Sequence, residues 1–247
     1  MRAQPEQQAP PVQRIRLRYA KRGRLRFTSH RDFSRAFERA VVRAGIPMAY
    51  SSGFHPHPRI SYAGAAPTGS ASEAEYVEIG LARPVAPEEV RAAIDAALPT
   101  GLDVLAAAES PGGSLADLLE VSRWQLTLTE VGAGAVQAAV GAFLAAESVT
   151  VERMTKKGMR SFDCRAAVIA LTVEHAVDPA VGPVLDVLLR HGTPAVRPDD
   201  VLRGLTEVGG LPEGISALQR RLAQGRYDEA TGAIHDPLGA VDGPTAS

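Results

Sequence analysis

Between Arg14 and Tyr19 the chain alternates arginine with apolar residues, Arg14, Ile15, Arg16, Leu17, Arg18, Tyr19. A period of two is that of a half-buried strand, so three arginines share one strand face. After Gly23 the alternation resumes with Arg24, Leu25, Arg26 and Phe27, which reads as a short hairpin or one interrupted strand.

The period then changes. Thr28 or Ser29 is a suitable N-cap for a helix running to about Ala44 and stopped by Gly45 and Pro47. Phe33, Ala36, Phe37, Ala40 and Ala44 form its apolar face, and Arg31, Arg35, Arg39 and Arg43 recur every four residues opposite. Such a stripe is ordinarily a solvated surface. Here it belongs to a wider imbalance: residues 14–60 hold twelve basic residues and two acidic ones, a net of +10, while 61–247 carry a net of −11. One segment is suited to polyanions and the rest is not.

Residues 50–62, Y-S-S-G-F-H-P-H-P-R-I-S-Y, read as a Gly/Pro-shaped loop entering a strand. An extended stretch over Ser72 to Leu81, a helix over Pro87 to Leu98 and a strand over Gly101 to Ala106 follow. The order strand, helix, strand, strand, helix, strand is the split β-α-β pattern, so the fold class expected is α+β with a ferredoxin-like first domain. A Gly/Ser/Pro break at Ser110 to Ser114 places a boundary near residue 118.

The second part starts the pattern again. Trp124 to Val131 reads as a strand and Ala135 to Ala146 as a helix. Val149 to Met154 with Ser161 to Glu174 reads as a hairpin around Lys156, Lys157 and Gly158, with Arg160 and Arg165 adding charge. Val181 to Arg190 and Pro198 to Gly204 are short helical candidates. The expectation is a tail over 1–12, a basic ferredoxin-like domain over 13–117, a second, degraded ferredoxin-like domain over 118–225, and a disordered tail over 226–247.

Composition closes off several classes. Apolar residues make up 45% and charged residues 22%, as in globular chains, and no apolar run reaches the eighteen residues of a membrane span. The first twelve residues lack the apolar core of a secretory signal, so a cytoplasmic protein with no membrane partner is expected. Cys164 is the only cysteine, which leaves no internal disulfide and no cysteine-held cluster or zinc site made by this chain alone.

F-T-S-H-R-D-F-S-R-A-F-E-R-A from Phe27, G-I-P from Gly45 and Y-S-S-G-F-H-P-H-P-R-I-S from Tyr50 together resemble the DUF2344 family of radical-SAM-associated domains of unknown function. The resemblance extends through Ser72 to Ile79 and weakly into T-K-K-G-M-R-S-F-D, covering residues 13 to about 205. It implies a cytoplasmic accessory protein linked to radical-SAM proteins and RNA processing, with no established reaction. A cluster-binding enzyme of that kind needs three cysteines, so an iron-sulfur cluster and S-adenosylmethionine would reside on a partner chain. The family more often carries Asn at the position of His55, which speaks against an essential role there.

The candidate residues follow from chemistry. Ser29, His30 and Asp32 lie in the first helical turn, where free N–H groups and the dipole favour an anion. Arg14, Arg16, Arg18, Arg24, Arg26, Arg31, Arg35, Arg39 and Arg59 supply forks that match phosphate oxygens. Tyr50, Phe54 and Tyr62 offer faces for unpaired bases, within a loop motif of Gly53, Phe54, Pro56, His57 and Pro58. His30, His55 and His57 with Asp32 are the candidates for acid-base chemistry, and no metal site is expected from them. The leading expectation is a noncatalytic RNA-binding or partner-recruiting module. The alternatives are a metal-independent RNA-acting enzyme using His30 with His55 or His57, and a scaffold whose basic face docks on an acidic radical-SAM protein.

Overall fold

The computed structural model describes residues 7–155, 158–174 and 182–239. They fall into two units, Met1–Leu119 with His235–Ser247, and Glu120–Ile234. The chain is α+β in both.

The first unit runs β1 (Gln13–Lys21), α1 (His30–Arg43), β2 (Ile60–Ala63), β3 (Ala71–Leu81), α2 (Pro87–Ala97) and β4 (Val104–Glu109). β1 pairs with β3 on one side and β4 on the other, β2 pairs with the far edge of β3, and every pairing is antiparallel. β1 and β2 thus run the same way with β3 between them, which splits the β-α-β unit. The alternation in β1 sends Ile15, Leu17 and Tyr19 into one core with Phe33, Phe37 and Val41 of α1, Val77, Ile79 and Leu81 of β3, and Val90 and Ile94 of α2. Ser29 caps α1 by accepting from the Asp32 N–H at 3.2 Å, and Pro87 opens α2 with Glu88 and Glu89 in its first turn.

Arg24 to Phe27 is not a strand. Gly23–Phe27 forms a 3-10 turn in which the Leu25 and Thr28 N–H groups donate to the carbonyls of Arg22 and Leu25. The segment satisfies its backbone locally instead of in a ladder. The stretch before β1 is also better anchored than a tail: the Val12 N–H donates to the Leu81 carbonyl, and Pro11 packs so closely on Gly80 that a Cβ there would sit 2.9 Å from it.

The second unit runs β5 (Val121–Leu128), α3 (Ala133–Ala145), β6 (Thr150–Thr155), β7 (Gly158–Asp163), β8 (Val168–Glu174), β9 (Val184–Arg190), α4 (Pro198–Gly209) and β10 (Ala217–Tyr227). β5 lies between β10 and β9, and β8 pairs with the far edge of β9, again all antiparallel. The order β10-β5-β9-β8 repeats β4-β1-β3-β2 element for element. The second copy is therefore complete rather than degraded.

Its disguise is the β6–β7 hairpin, which pairs with itself and is inserted between α3 and β8. The expected hairpin of Val149–Met154 with Ser161–Glu174 divides, since β7 pairs with β6 and β8 pairs with β9. Lys156 and Lys157 lie outside the described residues. The expected helix over Val181–Arg190 is the strand β9, with Val181 outside the described residues. Its residues Val184 to Leu189 are all buried, and a short run buried on both faces has no periodicity to reveal it.

Residues 226–239 are folded, contrary to the tail expected from 226. β10 continues to Tyr227, and Asp228 closes a turn by accepting from the N–H groups of Ala230 and Thr231. The chain then returns to the first unit, where Leu238 is buried with Ala74, Tyr76, Leu115 and Leu119. Polar composition concealed this segment because it is held by a few anchors rather than by an apolar face.

In the second unit α3 and α4 meet at Gly204, where an added Cβ would lie 2.7 Å from the Phe143 ring and 2.9 Å from Cys164 Sγ. Gly204→Ala is expected to destabilise the protein by about 1–3 kcal/mol through overpacking. Gly141→Ala, on α3 with open space around it, is expected to stabilise by about 0.5–1 kcal/mol from helix propensity alone. Urea unfolding midpoints of both variants check the pair.

Candidate nucleic-acid interface

The three arginines of β1 do not form one open face. Arg16 is 0% exposed, and its guanidinium donates to Glu78 Oε2 at 2.9 Å and to the carbonyls of Gly112 at 2.8 Å, Gly113 at 3.2 Å and Pro237 at 3.3 Å. Arg18 pairs with Asp236 at 2.6 Å, and Tyr76 donates to the same carboxylate at 3.0 Å. Arg14, the most exposed of the three, reaches Glu78 Oε1 at 3.1 Å. This face of the sheet is covered by residues 110–119 and 235–239 of its own unit, so the buried Arg16 is out of a ligand's reach. Sequence offered no sign of Asp236, which lies 218 residues from the arginine it meets.

α1 behaves differently. Phe33, Phe37, Ala40 and Val41 are buried, and Arg31, Arg35, Arg39 and Arg43 stand exposed on the outside. Among the described residues none of these four, nor Arg24, has a hydrogen-bond or ion-pair partner. The helix holds two carboxylates: Asp32 accepts from the Ser29 hydroxyl at 2.6 Å, and Glu38 is exposed among the arginines. Val42 stands 72% exposed in the same row, and Phe27, just before the helix, is 58% exposed with the Arg26 guanidinium 4.6 Å from its ring. The exposure of Phe27 did not stand out in the sequence, because its alternation with Arg24, Leu25 and Arg26 fits a core pattern.

The histidines separate. His30 lies at the start of α1, its ring edge-on to Tyr62 at 5.1 Å, beside a small hollow lined by Tyr19, Lys21, Thr28, Phe33 and Glu75. Burial pushes the Tyr62 phenol up to about 12, so it stays neutral. His55 and His57 lie in the loop after the C-terminal end of α1, a helix about 21 Å long. There the Ser51 side chain accepts from the His57 N–H at 3.0 Å, and the Ser51 N–H donates to the His57 carbonyl at 2.8 Å, which makes a tight hairpin. Gly53, Phe54, His55 and Pro56 form its tip, with Phe54 68% exposed. His57, Pro58 and Arg59 line a 180 Å³ hollow with Arg14, Ser61 and Glu78 that shares no residue with the one beside His30. Arg59 Nε is engaged by the Tyr50 carbonyl at 3.2 Å. The hollow beside His30 and the one lined by His57 are separate, and among the described residues no three of His, Cys, Asp and Glu form a metal-holding group.

Two groups carry predictions. Burial opposes ionisation of Glu78, but hydrogen bonds from Arg16, Ser110 and Arg14 outweigh it and hold the carboxyl below its usual range. Its stabilisation is therefore full above the unfolded value of about 4.3 and is lost as pH falls through the folded value. Glu78→Gln, which leaves Arg16 buried without a counter-charge, is expected to cost about 3–5 kcal/mol at neutral pH. The gap from wild type in urea midpoints should narrow on acidification. Cys164 is fully buried, and desolvation, with Asp163 and Asp200 adding to it, pushes its thiol up to about 12. A thiol reagent is expected to label it only as urea unfolds the second unit, which mass spectrometry reads directly.

No curated protein matches the chain. A family model for an uncharacterized protein conserved in bacteria, DUF2344, matches residues 14–198, which span β1 to the start of α4 and include the arginine-bearing helix and the histidine loop. The basic helix and the histidine hairpin lie within the matched span, and the chain belongs to the DUF2344 family.

Proposed function

We propose that this protein is a noncatalytic RNA-binding accessory module of the bacterial cytoplasm, built on two ferredoxin-like units, that delivers or holds RNA for a radical-SAM partner. The observation that carries this reading is the outer face of α1, where Arg31, Arg35, Arg39 and Arg43 stand exposed without partners. The arginines of β1, and Arg22 after it, are instead tied to carboxylates: Arg14 and Arg16 to Glu78, Arg18 to Asp236, Arg22 to Glu73 and Asp103. A fold that neutralises its strand arginines and leaves those of one helix free keeps that helix for an outside anion, and guanidinium forks suit phosphate.

Any cluster and S-adenosylmethionine would come from the partner, because one cysteine, buried and protonated, cannot ligate them.

The test is RNA binding by wild type and a combined Arg31→Ala, Arg35→Ala, Arg39→Ala variant across a salt series, with the RNA inspected on a gel. Wild type should bind, with affinity falling steeply as salt rises. The variant should bind weakly, with the log–log salt slope flattened by about 2, the loss expected for three phosphate contacts to a single strand. Cut RNA would identify an enzyme. Absence of binding would remove the RNA reading and leave docking on an acidic protein surface.

A further inference from the structure

We infer that the α1 face takes RNA as a single unpaired strand of about four nucleotides and excludes duplex; this rests on the RNA reading above. Three observations carry it. The first is what the fold has closed. A single strand commonly stacks its bases on an open sheet bearing exposed aromatics. In this unit the sheet face opposite the helices holds Tyr76 at 2% exposure with its hydroxyl on Asp236, and Leu115, Leu119 and Leu238 pack over it. RNA must use the helical side.

The second is the spacing of the charges. Arg31, Arg35, Arg39 and Arg43 advance about 6 Å per step along the axis, four residues at 1.5 Å each. They form one slanting row, which follows the phosphates of one strand; a duplex presents two strands, and its groove would call for basic groups on either side of an inserted element.

The third is the company the arginines keep. Phe27 is 58% exposed just before the N-terminus of α1, Phe54 is 68% exposed in the loop after its C-terminus, and Val42 is 72% exposed within the row. A phosphate gains nothing from a phenyl ring. An unstacked base does, because its face replaces water on the ring, and such stacking tolerates any sequence. In a duplex the base faces are already covered by their neighbours. Arg26 lies over the Phe27 ring at 4.6 Å, a contact that steadies the ring as a stacking platform. Phosphates along the arginine row with bases against Phe27 and Phe54 at its two ends describe a short single strand.

The experiment uses the full chain and fluorescence anisotropy with a labelled twelve-nucleotide RNA of mixed sequence, alone or annealed to its complement. Wild type, Phe27→Ala with Phe54→Ala, and the triple arginine variant are compared; both phenylalanines are largely solvent-exposed, so the double variant should fold as wild type. The single strand is expected to bind at least tenfold more tightly than the duplex. The phenylalanine variant is expected to lose about thirtyfold or more on the single strand with an unchanged salt slope, since stacking releases no counterions. Equal or tighter duplex binding, or a phenylalanine variant that binds like wild type, overturns the single-strand inference while leaving RNA binding in place if the arginine variant still fails. Failure of wild type to bind either RNA removes the underlying reading instead.

Discussion

A guanidinium with no access to water is costly unless acceptors and a counter-charge surround it, and Arg16 finds them by recruiting distant parts of its unit. Glu78 comes from the neighbouring strand, Gly112 and Gly113 from the segment after β4, and Pro237 from the far end of the chain. Ser110 adds a hydrogen bond to the same Glu78 oxygen at 2.8 Å. Because these partners are backbone carbonyls and one carboxylate at fixed positions, the segments that carry them must lie across the sheet. The buried charge thus decides which face of the first unit is interior and which is free. With one side of the sheet closed and the other covered by α1 and α2, the outer surfaces of the helices are what remains for recognition.

The two units show how little a shared topology says about function. Each runs strand, helix, strand, strand, helix, strand with the same antiparallel order, and each carries its extra structure in the same connection, after the first helix: the histidine hairpin in one, β6 and β7 in the other. The equivalent first helices differ completely. α1 sets four arginines outward, whereas α3 has no charged residue and consists largely of Ala, Gly and Val. In the second unit the pair Arg153 and Asp200 is spent inside, bracing β6 against α4, with Arg203 on the other Asp200 oxygen at 3.2 Å. One copy retains charge for the outside and the other uses it for its own architecture.

Much of this was legible in the chain. The period-two run at β1, the four-residue arginine period of α1, the Ser29 cap and the order of elements in the first unit were open to reading because each is a local pattern with a local cause. What stayed hidden had no local cause. β9 looks like any short apolar run, since burial on both faces erases alternation. The completeness of the second copy was masked by an inserted hairpin that borrows the look of the next strand. The division of the β1 arginines was invisible for a stronger reason: a period of two says that Arg14, Arg16 and Arg18 share a face, and nothing local says whether that face meets water or Asp236 and Pro237. Exposure of Phe27 was lost in the same way, because the alternation that assigned it to a strand was obeyed only as far as Leu25, which packs on the core.

Electrostatics then narrows where an anion can act. The segment 14–60 carries +10 and the remainder −11, so long-range attraction and repulsion nearly cancel for the molecule as a whole. At the Debye length of about 8 Å in physiological salt, a polyanion responds to the local surface rather than to that sum. In the first unit the strand arginines are neutralised at contact distance by Glu78 and Asp236, which leaves the α1 row as its concentrated positive field. A duplex or a single strand would both be drawn there by charge alone. Under the single-strand proposal, the exposed rings of Phe27 before the helix and Phe54 in the loop after it distinguish the two, because they reward only a ligand that arrives with its bases uncovered.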